Sequence, residues 1–324
     1  MQQIINKIKE FPRFEFSILP TPVQKLNNLT EKYGANIFCM RDDLTGFAFG
    51  GNKTRKLDFL IADAKSKGFD TLIGVGANQS NFCRMTAAAG KLANMEVHLL
   101  LSGDKPGKPT ANLLLDYLFG AVVHHTNSYE NEKVEEESAL LEQELQKSGK
   151  KVYRMPLGGS TPLGAIGYLN AFIEILNFSS KQNTRIDKIF LASGSGGTQA
   201  GLVLGQMLSG WGGEIIGISV GRSQLELVNL IQRIVKGGGE LLHEALSLPS
   251  VLVDDAYIGE GYGKPTLPGE SAISDFANLE GILLDKVYTG KAAAGMLDYI
   301  QKGKINAGQN ILFIHTGGNI ELFE

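Results

Sequence analysis

Short apolar runs alternate along this chain with stretches whose apolar residues repeat at helical spacing, from about residue 36 to the end. The predicted strands are Asn36–Met40, Thr71–Val75, Glu96–Leu101, Ala121–His125, Lys151–Met155, Lys188–Ala192, Glu214–Val220, Ile282–Leu284 and Asn310–His315. The predicted helices between them include Ser80–Leu92, Leu163–Leu176, Thr198–Leu208, Leu225–Val235 and Lys291–Ile300. This alternation predicts an α/β protein with largely parallel, buried sheets. Because nine strands are many for one open sheet, we expect two sheets.

Three further segments have distinct compositions. The acidic run Glu130–Glu144 carries a narrow apolar stripe, which favours an exposed helix over a metal-binding cluster. The glycine-rich stretches Lys236–Glu240 and Gly259–Pro265 are expected to be mobile surface segments, and Tyr262 in the second of them is a candidate mobile catalytic group.

The stretch Thr45–Leu60 combines flexibility with a reactive side chain. Glycines precede Asn52-Lys53, and apolar residues at helical spacing follow, so Lys53 is expected where a turn becomes a helix. The positive end of a helix dipole disfavours an ammonium group, and burial adds to this effect. Such a lysine is a candidate Schiff-base nucleophile. The alternative is that Lys53, like Arg55 and Lys56 of the same turn, is only a solvated surface group.

A phosphate-binding loop of the Walker type does not fit the same stretch. Gly46 and Gly51 have the required spacing, but Asn52 stands where the lysine must directly follow the second glycine.

Composition narrows the possible functions. The length of 324 residues is typical of about two domains, and the net charge of −3, with interspersed charges, argues against a nucleic-acid partner. Cys39 and Cys83 lack metal-site or redox spacing, so we expect reduced thiols and no metal site. The N-terminal stretch has no uninterrupted apolar region and no segment approaches eighteen apolar residues, so we expect no membrane contact and a cytoplasmic location.

Turns rich in Gly, Ser, Thr and Asn follow several predicted strands, at the sheet edge where α/β proteins bind ligands. The four turns are Gly74–Asn81, Gly158–Thr161, Ser193–Thr198 and Thr316–Asn319. The third reads Ser193-Gly194-Ser195-Gly196-Gly197-Thr198 and opens a helix, so its backbone N–H groups can converge on a phosphate. Gln199 occupies the place of the third glycine in the dinucleotide pattern, which favours a monophosphate over NAD. A tight turn without a ligand is the alternative.

The turn Asn78-Gln79-Ser80-Asn81 also opens a helix, and it is uncharged. Its hydroxyl and amide groups suit a small carboxylate, although such a turn is more often an ordinary helix cap. A pyridoxal phosphate enzyme that acts on an amino acid requires three features together. These are an amine that can form an imine, a binding site for a monophosphate and a binding site for a carboxylate.

The chain resembles the 1-aminocyclopropane-1-carboxylate deaminase and D-cysteine desulfhydrase family over nearly its whole length. The matching motifs, in order, are Gly50-Gly51-Asn52-Lys53, Arg55-Lys56-Leu57, Gln79-Ser80-Asn81, Ser193–Thr198, Gly261-Tyr262-Gly263, Val287-Tyr288-Thr289-Gly290-Lys291 and His315-Thr316-Gly317-Gly318.

The resemblance implies the tryptophan-synthase-β-like fold (fold type II), pyridoxal 5'-phosphate as cofactor, a small amino-acid substrate and a homodimer. It implies a larger domain of residues 1–53 and 160–324 and a smaller inserted domain of residues 54–159. The implied site roles are as follows: Lys53 holds the cofactor, Asn81 its phenolic oxygen and Ser193 to Thr198 its phosphate, Ser80 binds the substrate carboxylate, and Tyr262 and Tyr288 line the substrate face.

The chain departs from the family pattern after Ser80-Asn81. Members commonly continue with His or Gln and then Thr-Arg-Gln, whereas this chain has Phe82-Cys83-Arg84-Met85. The first helical turn beside the substrate is therefore less polar, which bears on substrate preference.

Two positions bear on the leaving group. In the deaminases a Glu follows the tyrosine of the Val-Tyr motif and a Leu stands in the His-x-Gly-Gly motif, whereas this chain has Thr289 and Thr316. A hydroxyl holds a proton on the pyridine nitrogen less firmly than a carboxylate does, so the electron sink is weaker. A thiolate leaves more easily than a carbon.

We therefore expect α,β-elimination from D-cysteine, which gives pyruvate, ammonia and sulfide. The alternatives are the cyclopropane-opening deaminase, a lyase for cysteate, a nucleotide-binding dehydrogenase and a non-catalytic ligand-binding protein.

Overall fold

The computed structural model describes residues 1–324, except for the side chain of Asn131. The strands are β1 (Val23–Lys25), β2 (Asn36–Arg41), β3 (Thr71–Ala77), β4 (Glu96–Ser102), β5 (Val122–His125), β6 (Val152–Arg154), β7 (Lys188–Ser193), β8 (Glu214–Ser219), β9 (Leu252–Asp254) and β10 (Asn310–His315). The helices are α1 (Gln2–Lys9), α2 (Asn27–Tyr33), α3 (Asn52–Ser66), α4 (Asn81–Leu92), α5 (Ala111–Leu118), α6 (Asn131–Lys147), α7 (Pro162–Lys181), α8 (Gly197–Ser209), α9 (Gln224–Leu241), α10 (Leu267–Glu280) and α11 (Thr289–Gln301).

The strands form two sheets, as the alternation predicted. The larger sheet has the order β1-β2-β10-β7-β8-β9, and only β1 runs antiparallel to its neighbour. The smaller sheet has the order β5-β4-β3-β6 and is parallel throughout. In each sheet the carboxyl ends of the parallel strands share one edge, so the turns that follow them are brought together.

Helices cover both faces of the larger sheet, which explains why its central strands are apolar without alternation. Along β10, Leu312 packs with α7 and α8 on one face, whereas Phe313 packs with α10 and α11 on the other. Both sheets fall within the domain boundaries expected from the sequence. The larger sheet is formed by residues 23–41, 188–254 and 310–315, and the smaller sheet by residues 71–154. The boundaries themselves stay a prediction.

The predicted elements agree with the observed ones to within a few residues, with three exceptions. The predicted strand Ile282–Leu284 is wrong: Ile282 and Leu284 are buried, but β10 already has a neighbour on each side, and the Leu283 carbonyl instead lies 2.8 Å from His315 Nε2. Strands β1 and β9, each of three residues, were missed.

The third exception is Lys236–Glu240, which is not a mobile surface segment but part of α9. Gly238 and Gly239 are buried there, and a Cβ atom on Gly238 would come within 2.8 Å of Leu204. These glycines permit close packing inside the helix. The acidic run is helical as predicted, in α6, with Val134 buried. No helix in the described part of the chain is long and apolar enough to cross a membrane.

Candidate active site

Lys53 lies in the first turn of α3, as predicted. Gly51 before it has φ +124°, and a Cβ atom there would come within 3.1 Å of the Thr316 carbonyl oxygen, so this approach requires glycine. Lys53 Nζ donates to Asn52 Oδ1 at 2.9 Å. Burial lowers the Lys53 pKa to about 8; the positive charge of Arg84 also lowers it, and the negative charges of Glu321 and Asp285 oppose the change. A larger share of this amine is therefore unprotonated near neutral pH than in an ordinary lysine.

The turn Ser193–Thr198 connects β7 to α8 directly beside Lys53. Asn52 Nδ2 donates to Thr198 Oγ1 at 3.0 Å. A Cβ atom on Gly158 would come within 2.5 Å of Ser195 Oγ and 3.7 Å of Lys53 Cε. Ser195 Oγ lies 2.7 Å from Ser160 Oγ, so two of the glycine-rich turns meet here. The result is a concentration of hydroxyl groups and free backbone N–H groups at the N-terminus of α8.

Lys56 belongs to this cradle, and the expectation that Arg55 and Lys56 are solvated is wrong. Both side chains are buried. Lys56 Nζ donates to the Gly158 carbonyl at 3.2 Å and to Ser160 Oγ at 3.3 Å, and a Cβ atom on Gly197 would come within 2.8 Å of it. Burial, followed by the charge of Lys53, lowers the Lys56 pKa well below its ordinary value. Lys56 stands three residues after Lys53, and this spacing places both side chains on the same face of a helix. That spacing is the signal in the sequence from which the position of Lys56 could have been predicted.

Ser80 is the N-cap of α4, and its Oγ accepts a hydrogen bond from the Cys83 N–H at 3.2 Å. A Cβ atom on Gly76 would come within 2.4 Å of Ser80 Oγ and 2.7 Å of Cys83 Sγ. Phe82 is buried against Gly159. Cys39 and Cys83 are both free and buried. The start of α4 therefore combines the Ser80 hydroxyl with two buried apolar side chains, Phe82 and Cys83.

Asn81 is held by two ionisable neighbours. Its Nδ2 donates to Glu321 Oε1 at 2.5 Å, and its Oδ1 accepts from Arg84 at 2.7 Å. Burial, and then the nearby Asp285, raise the Glu321 pKa well above its ordinary value. Glu321 Oε2 is buried without a partner among the described residues. No sequence signal pointed to Glu321, because the segment that carries it has no strand or helix pattern.

Tyr262 and Tyr288 share a hydrogen bond between their hydroxyl groups. A Cβ atom on Gly194 would lie 3.8 Å from the Tyr288 ring, so the pair adjoins the cradle. Tyr262 is 47% exposed and lies at the mouth of the site, with its hydroxyl directed inward. Loss of water raises the pKa of both hydroxyls, so both keep their protons at neutral pH.

Thr289 and Thr316 complete the site from the other side. Thr289 Oγ1 donates to Asp285 Oδ1 at 2.6 Å, and the Thr316 carbonyl accepts from the Asn52 N–H at 2.9 Å. A Cβ atom on Gly318 would come within 2.7 Å of Asp285 Oδ1. The start of α11 and the loop after β10 are thus packed together beside Lys53. Asp285, which the sequence reasoning missed, stands four residues before Thr289, a spacing typical of a helix-capping carboxylate.

The fold brings all the sequence-predicted site residues into one connected region between the two sheets. It contains an amine of lowered pKa, an anion cradle and a face of hydroxyl groups. Among the residues that the structure describes, no group of three or more His, Cys, Asp or Glu side chains is arranged to hold a metal ion. This arrangement suits covalent capture of a phosphorylated carbonyl compound.

Known proteins share both the sequence and the fold. Residues 14–317 match the family described as pyridoxal-phosphate dependent enzyme. A protein of Pyrococcus horikoshii named putative 1-aminocyclopropane-1-carboxylate deaminase is 40% identical over 319 residues, covering 98% of this chain and 94% of that protein. A relative in Pyrococcus furiosus with the same name is also 40% identical, over 98% of this chain and 94% of its own length.

Solved structures extend this similarity. The crystal structure of an ACC deaminase homologue superimposes with a TM-score of 0.93 at 37% identity, covering 100% of this chain and 97% of that one. Threonine deaminase isoform 2 of Solanum lycopersicum has the same fold, with a TM-score of 0.72 at 17% identity over 98% of this chain and 84% of its own. The fold is therefore that of fold type II. The chain belongs to the pyridoxal-phosphate dependent enzyme family, as an elimination or deamination enzyme whose cofactor is pyridoxal 5'-phosphate.

Proposed function

We propose that this enzyme eliminates hydrogen sulfide from D-cysteine, which with one water gives pyruvate and ammonia. The observation that carries the proposal is that Thr289 and Thr316 stand at the positions where the deaminases that resemble this chain have Glu and Leu. A hydroxyl stabilises a protonated ring nitrogen less than a carboxylate in direct contact does. The leaving group is hydrosulfide, and its conjugate acid, hydrogen sulfide, is at least as acidic as a thiol with a pKa of about 8.5, so it leaves readily and needs less electron withdrawal than a carbon leaving group.

The residues present fit the cofactor. Lys53 offers an amine of lowered pKa for the covalent bond, and the cradle Ser193–Thr198 offers hydroxyls, backbone N–H groups and a helix N-terminus for the phosphate. Ser193 Oγ is buried without a partner among the described side chains, and Lys56 Nζ adjoins the same cradle. We assign Asn81 to the phenolic oxygen because its amide orientation is set by Glu321 and Arg84.

The chain's own groups then act on the substrate. When bound, the cofactor withdraws electrons from the substrate Cα. We assign the Ser80 hydroxyl to the substrate carboxylate, since it lies at the N-terminus of α4. Lys53 Nζ removes the α-proton. The Tyr262–Tyr288 pair keeps its protons at neutral pH and stands at the mouth, where it can donate a hydrogen bond to the departing sulfur.

The polarity around Ser80 also supports a sulfur substrate. Phe82 and Cys83 replace the polar residues common in the family, so the first turn of α4 beside Ser80 is less polar in this chain. A thiol loses little on entering such surroundings, because it is only a weak hydrogen-bond donor.

A second candidate is the opening of 1-aminocyclopropane-1-carboxylate to 2-oxobutanoate and ammonia. The names of the Pyrococcus relatives favour it. The two candidates share Lys53, the phosphate cradle and Ser80, and they differ in the strength of electron withdrawal that the ring nitrogen must sustain.

Side-by-side assays decide between them. Purified enzyme loaded with cofactor is given D-cysteine, L-cysteine, cysteate or the cyclopropane substrate, and pyruvate, 2-oxobutanoate, sulfide and sulfite are measured. We expect pyruvate and sulfide in equal amounts from D-cysteine and little 2-oxobutanoate. The Lys53→Ala variant should abolish both products and Lys65→Met, on the exposed side of α3, should retain them. Faster formation of 2-oxobutanoate or of sulfite would contradict the assignment.

Two further predictions accompany this proposal: a homodimer and a cytoplasmic location. Sedimentation velocity of the purified protein tests the first, and fractionation of the source cells tests the second.

A further inference from the structure

Lys291 is a buried lysine that the reaction described above does not use. The residue is 0% exposed and stands in the first turn of α11, where the helix dipole disfavours a cation. Burial lowers its pKa, and the negative charge of Asp285 opposes this change. Helix stability therefore does not explain a lysine at this position, and its contacts must.

The amine of Lys291 binds backbone carbonyls from two separate segments. Nζ donates to the carbonyls of Ile258 at 2.7 Å and Gly261 at 2.9 Å. It also lies 3.5 Å from the carbonyl of Val220, the residue that follows β8. An ammonium group has three N–H donors, so one lysine can serve all three carbonyls at once.

Ile258 and Gly261 belong to a surface loop, residues 258–264, which we call the tyrosine loop because it carries Tyr262. The backbone hydrogen bonds of this loop are long: the Ile258 N–H lies 3.5 Å from the Asp255 carbonyl, and the Lys264 N–H lies 3.4 Å from the Gly261 carbonyl. Gly261 has φ +137°, a conformation that favours glycine. The loop is thus held only weakly by its own backbone, and the two short bonds from Lys291 are its main polar attachment there.

The same turn of α11 also holds the side chain of Tyr262. Tyr288, whose hydroxyl shares a hydrogen bond with that of Tyr262, stands three residues before Lys291. A Cβ atom on Gly221 would come within 2.7 Å of Tyr262 Cβ, so this tyrosine is seated directly beside Val220. The start of α11 therefore contacts the loop twice, at the Tyr262 hydroxyl and at the backbone on either side of it.

We propose that Lys291 is a positioning residue that fastens the tyrosine loop at the mouth of the site and thereby sets the place of the Tyr262 hydroxyl. The consequence for turnover rests on the proposed function, which gives the Tyr262–Tyr288 pair a role toward the departing sulfur. Without the ammonium group, the carbonyls of Ile258 and Gly261 lose their donor. The loop then opens locally while the rest of the fold stays closed.

General stabilisation of the fold is the competing explanation for Lys291. A lysine that only supports the packing of α11 would, when removed, lower the unfolding temperature and raise the opening of the whole chain. The tether predicts opening confined to residues 258–264. It also predicts a loss of turnover that depends on the Tyr262 hydroxyl, so the two explanations are separable.

The test is cleavage of the cofactor-loaded enzyme by a glutamate-specific endoprotease, which can cut after the exposed Glu260 once the loop opens. The rate follows the population of the open loop when opening and closing are fast. In Lys291→Met we expect fragments 1–260 and 261–324 to form about 10- to 150-fold faster than in the wild type, the range for loss of a hydrogen bond to a charged group. Lys302→Met is the matched control and should keep the wild-type rate, because its amine pairs with Asp298 at the surface.

A double variant tests whether Lys291 acts through Tyr262. Values of kcat/KM are measured with whichever amino acid the side-by-side assays show to be turned over. Tyr262→Phe and Lys291→Met should each lower kcat/KM, and the double variant should be no slower than the slower single variant, because both changes act on one hydroxyl. A general loss of stability would instead multiply the two effects.

An unchanged cleavage rate in Lys291→Met overturns the proposal, and so do multiplied effects in the double variant. If Lys291→Met does not fold, Gly261→Ala tests the same contact from the loop, because alanine disfavours the φ of +137° and turns this carbonyl away from Lys291. Its cleavage rate is compared with that of the same bond in a peptide of residues 255–266, and an unchanged ratio overturns the proposal.

Cleavage at Glu260 needs no substrate. Failure of D-cysteine turnover would refute the proposed substrate and leave the cleavage result intact, whereas unchanged cleavage would refute the role of Lys291 and leave the measured products intact.

Discussion

Replacement of Lys56 by methionine tests whether the buried second lysine of α3 serves the cofactor phosphate. This amine is desolvated and donates hydrogen bonds to the Gly158 carbonyl and Ser160 Oγ, at 3.2 and 3.3 Å. Its pKa lies well below the ordinary lysine value, because burial and the charge of Lys53 disfavour the ammonium form. Methionine has a similar length without the charge, and we expect the cofactor-free variant to be as stable as the wild type or more stable.

The expected loss appears only with the phosphate bound. A phosphate in the cradle of α8 would raise the Lys56 pKa by opposite charge and receive a charge-assisted hydrogen bond from its ammonium group. Loss of that bond costs about 1.5–3 kcal/mol, which corresponds to roughly a 10- to 150-fold rise in Kd. Because binding takes up a proton at Lys56, the affinity of the wild type should fall as the pH rises. The variant should lose this part of the pH dependence.

The assay uses 4'-deoxypyridoxine 5'-phosphate, which has the ring and the phosphate but no aldehyde to react with Lys53. Isothermal titration calorimetry in buffers of different ionisation enthalpy gives both the Kd and the number of protons taken up. Thermal unfolding of the cofactor-free proteins gives their stability. Lys65→Met is the matched control on the same helix, since Lys65 Nζ donates to the Ala93 carbonyl at 2.9 Å and lies far from the cradle.

Two results would refute the reasoning about Lys56. One is an unchanged Kd and unchanged proton uptake in Lys56→Met, which would mean that the phosphate does not meet this amine. The other is a large loss of stability in the cofactor-free variant, which would show that the neutral amine is a structural hydrogen-bond donor.

Three further perturbations have defined outcomes. Ser80→Ala should lower kcat/KM by an amount that corresponds to about 1.5–3 kcal/mol of activation free energy, with an unchanged cofactor absorption spectrum. The control Ser223→Ala removes the N-cap of α9 and should lower only stability. Loss of the cofactor spectrum in Ser80→Ala would contradict the role of Ser80. Cofactor-free protein should combine with pyridoxal phosphate at a rate that rises with pH and levels off above about pH 8, because the neutral Lys53 amine is the nucleophile. A rate that rises only near the ordinary lysine pKa would contradict the burial of Lys53. Arg55→Met should lower the free energy of unfolding, measured in urea, by about 3–5 kcal/mol, because it leaves buried carboxylates without their ion-pair partner. The control Lys302→Met removes an exposed ion pair and should lower this free energy by at most about 1 kcal/mol. Equal effects of the two substitutions would contradict the difference in burial.

The sequence alone determined the local features of this enzyme. The alternation of strands and helices follows from short-range patterns, so it predicted the two parallel sheets and the turns at their carboxyl ends. Ser80 at the start of α4 and Lys53 at the start of α3 were predictable in the same way, because caps and glycine turns involve residues close in sequence. The family motifs added the cofactor.

Tertiary structure decided which charges are buried and what faces them. Lys56 is an ordinary lysine in the sequence, and it is desolvated only because Gly158 and Ser160, about a hundred residues away, close over it. Glu321 likewise owes its raised pKa to burial and to Asp285, and its bond to Asn81 spans 240 residues. The strength of an electrostatic interaction depends on distance and on the exclusion of water, which packing of distant segments sets and no local pattern records.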